Sequence, residues 1–425
     1  RSFMFFSISF FEMYRIIANI APYYNESTML KRTLYGAALM LALLATGCGD
    51  ANQKTSGLPQ IDVRTDYPEK EICLQDVAEV SYIPLETTDE ILLDEGTGVE
   101  VLSSKGIVCV SDNKVYIFHP DGKLGSILDK KGEGPGEYRY LFYTDVDWER
   151  KEIYVHDGSQ KAVLVYSLDG IYKHQFKADV NIRQHDLIND NQGHLILYRE
   201  NPGGQKEGII EPPYRPVIRL SLEDGKVDSL SHRLHYFTTM FLKVALGDGT
   251  PWTVYIPMPA LTRLNNEVYV SEVASDTIYR LADGSIEPFI TRTPSVREED
   301  GKYLLYLQGI TSRHYFLRLQ AKKMDASSAI GNMIHVKDEN TKKIMYDKAT
   351  GDICIPLFKN QDYQALDCDE LLFNGCDADT AYMKLDAFTL IEALEAGELS
   401  GELKTIAEGL KEDDNPVLMV VKFKE

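Results

Sequence analysis

Residues 106–128 read GIVCVSDNKVYIFHPDGKLGSIL. Apolar and polar residues alternate through three short segments, the period of a strand with two unlike faces. Asp121-Gly122 separates the second segment from the third, and Asp-Gly supplies the positive-φ positions of a tight hairpin. The same order returns along the chain. EIYVHDGSQKAVLVYSLDGIYKHQF starts at Glu152, and EVYVSEVASDTIYRLADGSIEPFI starts at Glu267. Between them HLILYRE is split by NPGGQKEGIIEPPY from RPVIRLSLEDGKVDSL. A fifth copy, HYFLRLQ with NMIHVKDENTKKIMYDKATGDICIPL, is also split, and ELLFNGCDADTAYMKL from Glu370 is the sixth. Asp-Gly recurs at 169–170, 224–225 and 283–284, and Gly351 takes its place in the fifth copy. A solenoid or a pair of β-sandwiches would also use such strands. A period above about forty residues with three or four strands in each copy marks a propeller instead. The expected fold is all-β, a six-bladed β-propeller over residues 61–425.

Propellers close by pairing the two ends of the chain in one blade. VLMVVKFK at Val417–Lys424 and EICLQDVAEVSYIPLETT near the other end are expected to share a sheet. Between the sixth copy and the final strand, AFTLIEALEAGELSGELKTIAEGLK (Ala387–Lys411) has helical spacing and stops at EDDNP. It is expected to pack outside the last blade.

Upstream of the repeats, residues 1–28 begin with Arg and contain no clean apolar span, so they read as upstream translation. Met29 then opens MLKRTLYGAALMLALLATGC, with Lys31 and Arg32 before an apolar run that ends in small residues at Cys48. This is a secretory signal, too short to span a bilayer. LLATGC departs from the commonest lipobox, because Ala45 rather than Leu stands three residues before Cys48. Residues 29–47 are expected to be removed and Cys48 acylated, several chains giving a stable anchor in the outer membrane. Residues 48–60 then read as a flexible tether.

The chain carries a formal charge of −20, and removing the four basic and two acidic residues of 1–47 leaves −22. Nucleic acid and anionic membrane surfaces require Lys/Arg footprints, so both are disfavoured as partners. Five cysteines follow Cys48 without a CxxC pair, which implies no disulfide framework.

Four features, YPEKEICLQDVAEVSYIPLETTDE, GEGPGEY, the blade repeats and LKEDDNPVLMVVKFK, appear in the order found in a known group. The chain resembles the six-bladed, NHL-like β-propeller lipoproteins of Gram-negative envelopes over nearly all of residues 60–425. The resemblance implies the fold. It implies no chemistry, since the members of that group largely lack an assigned activity and one fold hosts many functions.

The residues themselves exclude several chemistries. GEGPGEY at 132–138 fits neither the P-loop nor the dinucleotide pattern. Pro135 lacks an N–H, Glu133 and Glu137 repel anions, and a strand follows instead of a helix. It is a crossover turn between two blades. His232 and His235 stand three apart with no accompanying metal pattern. Within DCDELLFNGCDAD (367–379) no EF-hand spacing occurs, and Asn374-Gly375 reads as a hairpin that would pair Phe373 with Cys376 and Cys368 with Ala381. G-x-S-x-G is absent, so serine hydrolysis lacks support.

The remaining candidates are crossover loops, which gather around a propeller's channel mouth. GEGPGEY offers Tyr138 and Arg139, ADVNIRQHD offers Arg183 and Gln184, and the long insert before the fourth copy offers Trp252, Tyr255 and Arg263. Aromatic and arginine side chains are favoured anchors for sugars, peptides and proteins. The sequence therefore predicts a lipid-anchored envelope propeller that binds a glycan, peptide or envelope protein through these residues, without cofactor or catalysis. The alternative is a calcium-dependent, lactonase-like hydrolase using channel carboxylates.

Overall fold

The computed structural model describes residues 57–94, 96–177, 182–199, 208–237, 241–245, 251–255, 258–298, 303–330, 333–336, 340–368 and 370–424. Six antiparallel sheets form a ring, each with its first strand innermost. Blade 1 is Gly98–Ser103, Gly106–Ser111, Lys114–Phe118 and Leu124–Leu128. Blade 2 is Tyr143–Asp147, Glu152–Asp157, Ala162–Ser167 and Tyr172–Lys177. Blade 3 is Ile182–Asn189, His194–Arg199, Val217–Ser221 and Val227–Ser229. Blade 4 is Leu261–Leu264, Glu267–Val270, Thr277–Ala282 and Ser285–Thr293. Blade 5 is Tyr303–Ile310, His314–Ala321, Thr341–Asp347 and Ile353–Lys359. Thr380–Leu385, Val417–Phe423 and Ala78–Pro84 form blade 6.

The expected closure is present: Ala78–Pro84 pairs antiparallel with Val417–Phe423. The N-terminal segment also does more than close the ring. Gln60–Asp62 adds in parallel to the outer edge of blade 4, and Glu69–Cys73 adds in parallel to that of blade 5. Residues 60–84 thus form a strap across three successive blades. Apolar side chains fill the seams. One cluster joins Val108, Val115 and Leu128 of blade 1 to Val146, Ile153 and Tyr166 of blade 2. A second joins Val163 and Val165 to Leu187 and Leu197 of blade 3.

The Asp-Gly turns have a packing role as well as a conformational one. Gly122 has φ 83°, and a β-carbon there would lie 2.1 Å from the Pro84 carbonyl oxygen of blade 6. The third-to-fourth turn of blade 1 therefore rests on its neighbour's outer strand. Gly122→Ala is expected to destabilise the protein by at least about 2 kcal/mol, since left-handed backbone alone costs 1–2. The urea midpoint measures it.

Because strands alternate in direction, the second-to-third turns and the blade-to-blade crossovers open on one face of the ring. Every long insertion uses these positions. Gly208–Tyr214, between the second and third strands of blade 3, pairs with Leu234–Phe237 from the next crossover. Phe241–Ala245 and Pro251–Tyr255 of that crossover join Lys323–Ile330 and Met333–Val336 of blade 5 in one four-stranded sheet. Insertions far apart in sequence thus form one structure on one face.

The helical segment packs against the outer strand of the last blade, as expected, whereas the register of the sixth copy needs correction. The helical segment is two helices, Ala387–Glu395 and Gly401–Ala407, and it links Thr380–Leu385 to Val417–Phe423 on the insertion face. Its Leu390, Ala393, Leu403 and Ala407 are buried in the core shared with Phe358 and Phe423. In the sixth copy the Asn374-Gly375 turn is present, its Cys376 N–H donating to the Phe373 carbonyl at 3.3 Å, but Leu372 pairs with Tyr382, so Cys368 is not brought opposite Ala381. A second turn, in which Thr380 N–H donates to the Asp377 carbonyl at 3.2 Å, shifts the register. Residues 373–376 are consequently released from the sheet.

Candidate functional site

The innermost strand of each blade leaves one edge of N–H and C=O groups facing the axis, and those groups require partners. Side chains from neighbouring blades supply them. Asp145 Oδ2 of blade 2 accepts from the Asn189 N–H of blade 3 at 2.7 Å. Asp186 Oδ1 of blade 3 accepts from the Leu261 N–H of blade 4 at 2.8 Å. Ser271 Oγ of blade 4 accepts from the Leu307 N–H of blade 5 at 3.3 Å. Acidic residues on inner strands here tie blade to blade.

Arg263 crosses the channel from blade 4 to blade 2. Its Nη1 and Nη2 donate to Asp145 at 2.7 and 3.0 Å, and Nη1 also donates to the Asn189 carbonyl at 3.0 Å. The two side chains are only 11% and 3% exposed. Burial works against the guanidinium charge, but Asp145 holds its pKa above the ordinary value. A bidentate pair of this kind is among the stronger polar contacts available.

Residues 373–376 plug the axis beside this pair. Phe373 stacks on Phe316 of blade 5, with ring centroids 4.5 Å apart. Asn374 Oδ1 accepts from the Arg263 N–H at 3.3 Å and bonds the Tyr143 side chain of blade 2. Gly375 lies on blade 1: its carbonyl accepts from Leu102 N–H at 3.0 Å. Asp379 accepts from Ser312 Oγ of blade 5 at 2.8 Å, while its own N–H donates to Asn265 of blade 4. The acidic run at 367–379 is therefore the hub of the ring.

Glu100, on the inner strand of blade 1, is the odd member. No donor among the described residues reaches its carboxyl. Burial first, and then the Asp145 charge, raise its pKa to about 7. Its contribution to stability is full below about pH 4.5 and is lost as the pH rises through about 7. Glu100→Gln is expected to exceed the native protein in stability at pH 8 by about 2 kcal/mol and to converge with it at pH 5. Thermal unfolding across that range checks the sign.

The structure distributes the other candidates differently from the expectation. Tyr138 does not face the mouth. It is fully buried between blades 1 and 2, its hydroxyl donates to the Asn113 carbonyl at 2.6 Å, and its ring edge meets Tyr166 at 6.4 Å. Burial pushes that hydroxyl up to about 12. It anchors the crossover in the core. Arg139 is exposed, 3.9 Å from Glu133, and its N–H donates to Asp157 at 2.7 Å.

Arg183 and Gln184 belong to the inner strand of blade 3, not to a crossover loop, and enter it from the insertion face. Trp252 and Tyr255 lie on a strand of the insertion sheet. The side chains of these four, and Cys48, fall outside the described residues. Arg263 is the channel tie described above. GEGPGEY does join the outer strand of blade 1 to the inner strand of blade 2. At the rim, away from the channel, its Pro135, Gly136 and Glu137 line a hollow of about 590 Å³ with Ile127, Ile171 and Tyr172.

Glu100, Asp145 and Asn374 were missed. The repeat as read began at Gly106 and omitted the inner strand of blade 1. One available signal was YTDVD at 143–147, where two carboxylates stand two apart, on one face of a strand.

Six such sheets, tied at the axis and closed by both ends of the chain, define a six-bladed β-propeller. The chain belongs to the family described as a domain of unknown function (DUF4934), whose model matches residues 58–422. It is similar to the structure of a protein described as exported from Bacteroides fragilis NCTC 9343, at 17% identity. The match covers 87% of this chain and 100% of that one, with a TM-score of 0.60. It also matches a member of the DUF4221 family from Bacteroides vulgatus ATCC 8482 at 10% identity, covering 83% and 99% with a TM-score of 0.42. A third match is virginiamycin B lyase from Staphylococcus aureus, at 11% identity, 80% and 99% coverage and a TM-score of 0.35. No curated protein matches the chain.

Proposed function

We propose that the protein is an exported, lipid-anchored propeller that binds a glycan, peptide or envelope protein on its insertion face. The observation that carries this reading is the confinement of every long insertion to one face, where two of them combine into one sheet. Insertions at element ends of a rigid scaffold are where binding residues concentrate. Trp252 and Tyr255 on that sheet, Arg183 and Gln184 at the blade 3 edge, and exposed Arg139 are the proposed contacts. A thermal-shift series with defined glycans and peptides tests it: a binder should raise the melting temperature, and Trp252→Ala or Arg183→Ala should abolish the rise. Shifts that survive both changes reject this face.

The hydrolase alternative draws on Glu100 and Asp145, but Asp145 is already engaged by Arg263, Asn189 and the Val146 N–H at 2.8 Å. Among the described residues no group of three His, Cys, Asp or Glu is placed to hold a metal. Thermal shifts by calcium that disappear on changing channel carboxylates would favour it.

Anchoring rests on the signal-like segment ending at Cys48 and on the similarity to a protein described as exported. Among the described residues no helix is long and apolar enough to cross a membrane. Cells fed a tagged fatty acid should label the protein, and Cys48→Ala should remove the label. Labelling that persists in the variant refutes the anchor.

A further inference from the structure

The GEGPGEY crossover forms one wall of the rim hollow, and its backbone is held in place. Gly136 has φ 74°, and a β-carbon there would lie 2.6 Å from the Tyr172 ring. Its carbonyl accepts from the Tyr166 hydroxyl at 3.1 Å. Glu137 Oε2 accepts from the Gly134 N–H at 2.7 Å, and Gln160 Nε2 donates to the Glu137 carbonyl at 2.9 Å. Tyr116 and Ile127, partners across the third and outer strands of blade 1, form the floor. Ile171 and Tyr172 of blade 2 form the far side, where Ile171 is 66% exposed. A hollow of about 590 Å³ lies within the size range of ligand sites, and walls already in place need no ordering on binding.

Tyr116 points to the chemistry of the occupant. It is only 4% exposed and lines the hollow, and its hydroxyl makes no hydrogen bond to any described residue. By contrast Tyr138 and Tyr166 each donate to a backbone carbonyl. The charges of Lys114 and Asp129 act on the Tyr116 hydroxyl, and those two side chains are paired with each other at 3.2 Å. Glu90, Asp129, Glu137 and Asp169 line the hollow against the ammonium groups of Lys114 and Lys130 alone. That excess of carboxylates repels an anion. Among the described residues no Asn, Gln, Arg or His side chain lines the hollow, so a polyol would find few donors. A cation on an apolar stem suits both the carboxylates and the exposed Ile171.

We propose that the rim hollow receives a lysine or arginine side chain of a partner polypeptide, its stem on Ile127, Ile171 and Tyr172 and its cationic end on the Tyr116 hydroxyl among the carboxylates. A charged donor strengthens the bond to that hydroxyl, and the Tyr172 ring offers the cation a second attraction. The formal charge of −20 draws a basic partner toward the whole surface, while the hollow fixes where one side chain seats. None of the residues proposed as contacts on the insertion face lines it.

Ligand-observed NMR titration of the protein with blocked tripeptides tests the site. The lysine peptide, acetyl-Leu-Lys-Leu-amide, should bind saturably, and its glutamine and glutamate counterparts at least about tenfold more weakly. Cadaverine, a free diamine without apolar flanks, should also bind at least about tenfold more weakly, and equal affinity would overturn the choice of a polypeptide. Tyr116→Phe leaves every charge in place and should cost about tenfold, the loss of one charged hydrogen bond. Glu90→Gln combined with Asp169→Asn, both at exposed positions, should weaken binding as much. Trp252→Ala, on the insertion face, should leave it unchanged. Absence of saturable binding at millimolar peptide, equal binding of the lysine and glutamine peptides, or full affinity in either hollow variant overturns the site. A loss in Trp252→Ala equal to that in Tyr116→Phe overturns it too.

Discussion

Asp145→Ala is expected to destabilise the propeller by about 3–5 kcal/mol, the cost of leaving a buried charge without its partner. The substitution removes the bidentate acceptor of Arg263 and also exposes the Asn189 N–H to an unsatisfied, buried position. Two losses at one residue place the effect at the upper end of that range. Arg263→Met alone should cost less, because Asp145 retains the Asn189 and Val146 N–H donors. A double change, Asp145→Leu with Arg263→Met, should recover part of the loss, since apolar replacement of a buried pair is often neutral. Urea unfolding of the four proteins measures all of this. An Asp145→Ala protein within about 1 kcal/mol of native would show that the tie across the channel contributes nothing.

Gly375→Ala is the second large effect. The residue has φ 71°, and the added methyl would collide with the Glu100 carbonyl oxygen. Left-handed strain of about 1–2 kcal/mol and the rigid backbone neighbour together predict a loss of at least about 3 kcal/mol. The plug cannot move away without releasing the Asn374 contacts to Arg263 and Tyr143. Near-ultraviolet circular dichroism should change with it, because Phe373 and Tyr143 flank the turn. An unchanged urea midpoint would mean that the 373–376 turn is not a structural hub.

The fold was largely legible because its signals are local. Period-two alternation, Asp-Gly turns and a recurring spacing are all properties of neighbouring residues, and six copies repeat the evidence. The closing pair, Ala78–Pro84 with Val417–Phe423, was legible because each strand is long, the first alternating and the second a near-continuous apolar run. Gln60–Asp62 is three residues, too short to show a period, so its addition to blade 4 could not be read.

The candidate site was legible only in outline. Insertions betray themselves by interrupting repeats, but which insertions pair depends on contacts across more than one blade. Tyr138 looked like an exposed anchor because glycines surround it, and flanking composition does not reveal which way a side chain turns. Arg263 was singled out as a binder, yet its partner lies two blades away in Asp145. The Asn374-Gly375 turn was found, but the register around it was set by a second turn whose signal, Asp379 at φ 57°, is not a glycine.

The strap has a consequence for the order of events during synthesis. Residues 60–84 leave the ribosome early, but their partners at Thr291–Thr293, Ile355–Lys359 and Val417–Phe423 are made much later. Blades 1 to 3 draw all their strands from contiguous chain and can assemble as they emerge. Blades 4 to 6 cannot finish until the oldest segment returns to them. Such distant pairing is slow, because the chain between must be closed into a loop first. A ring that cannot lock until its last strand is made therefore stays open along its outer edges for as long as synthesis lasts.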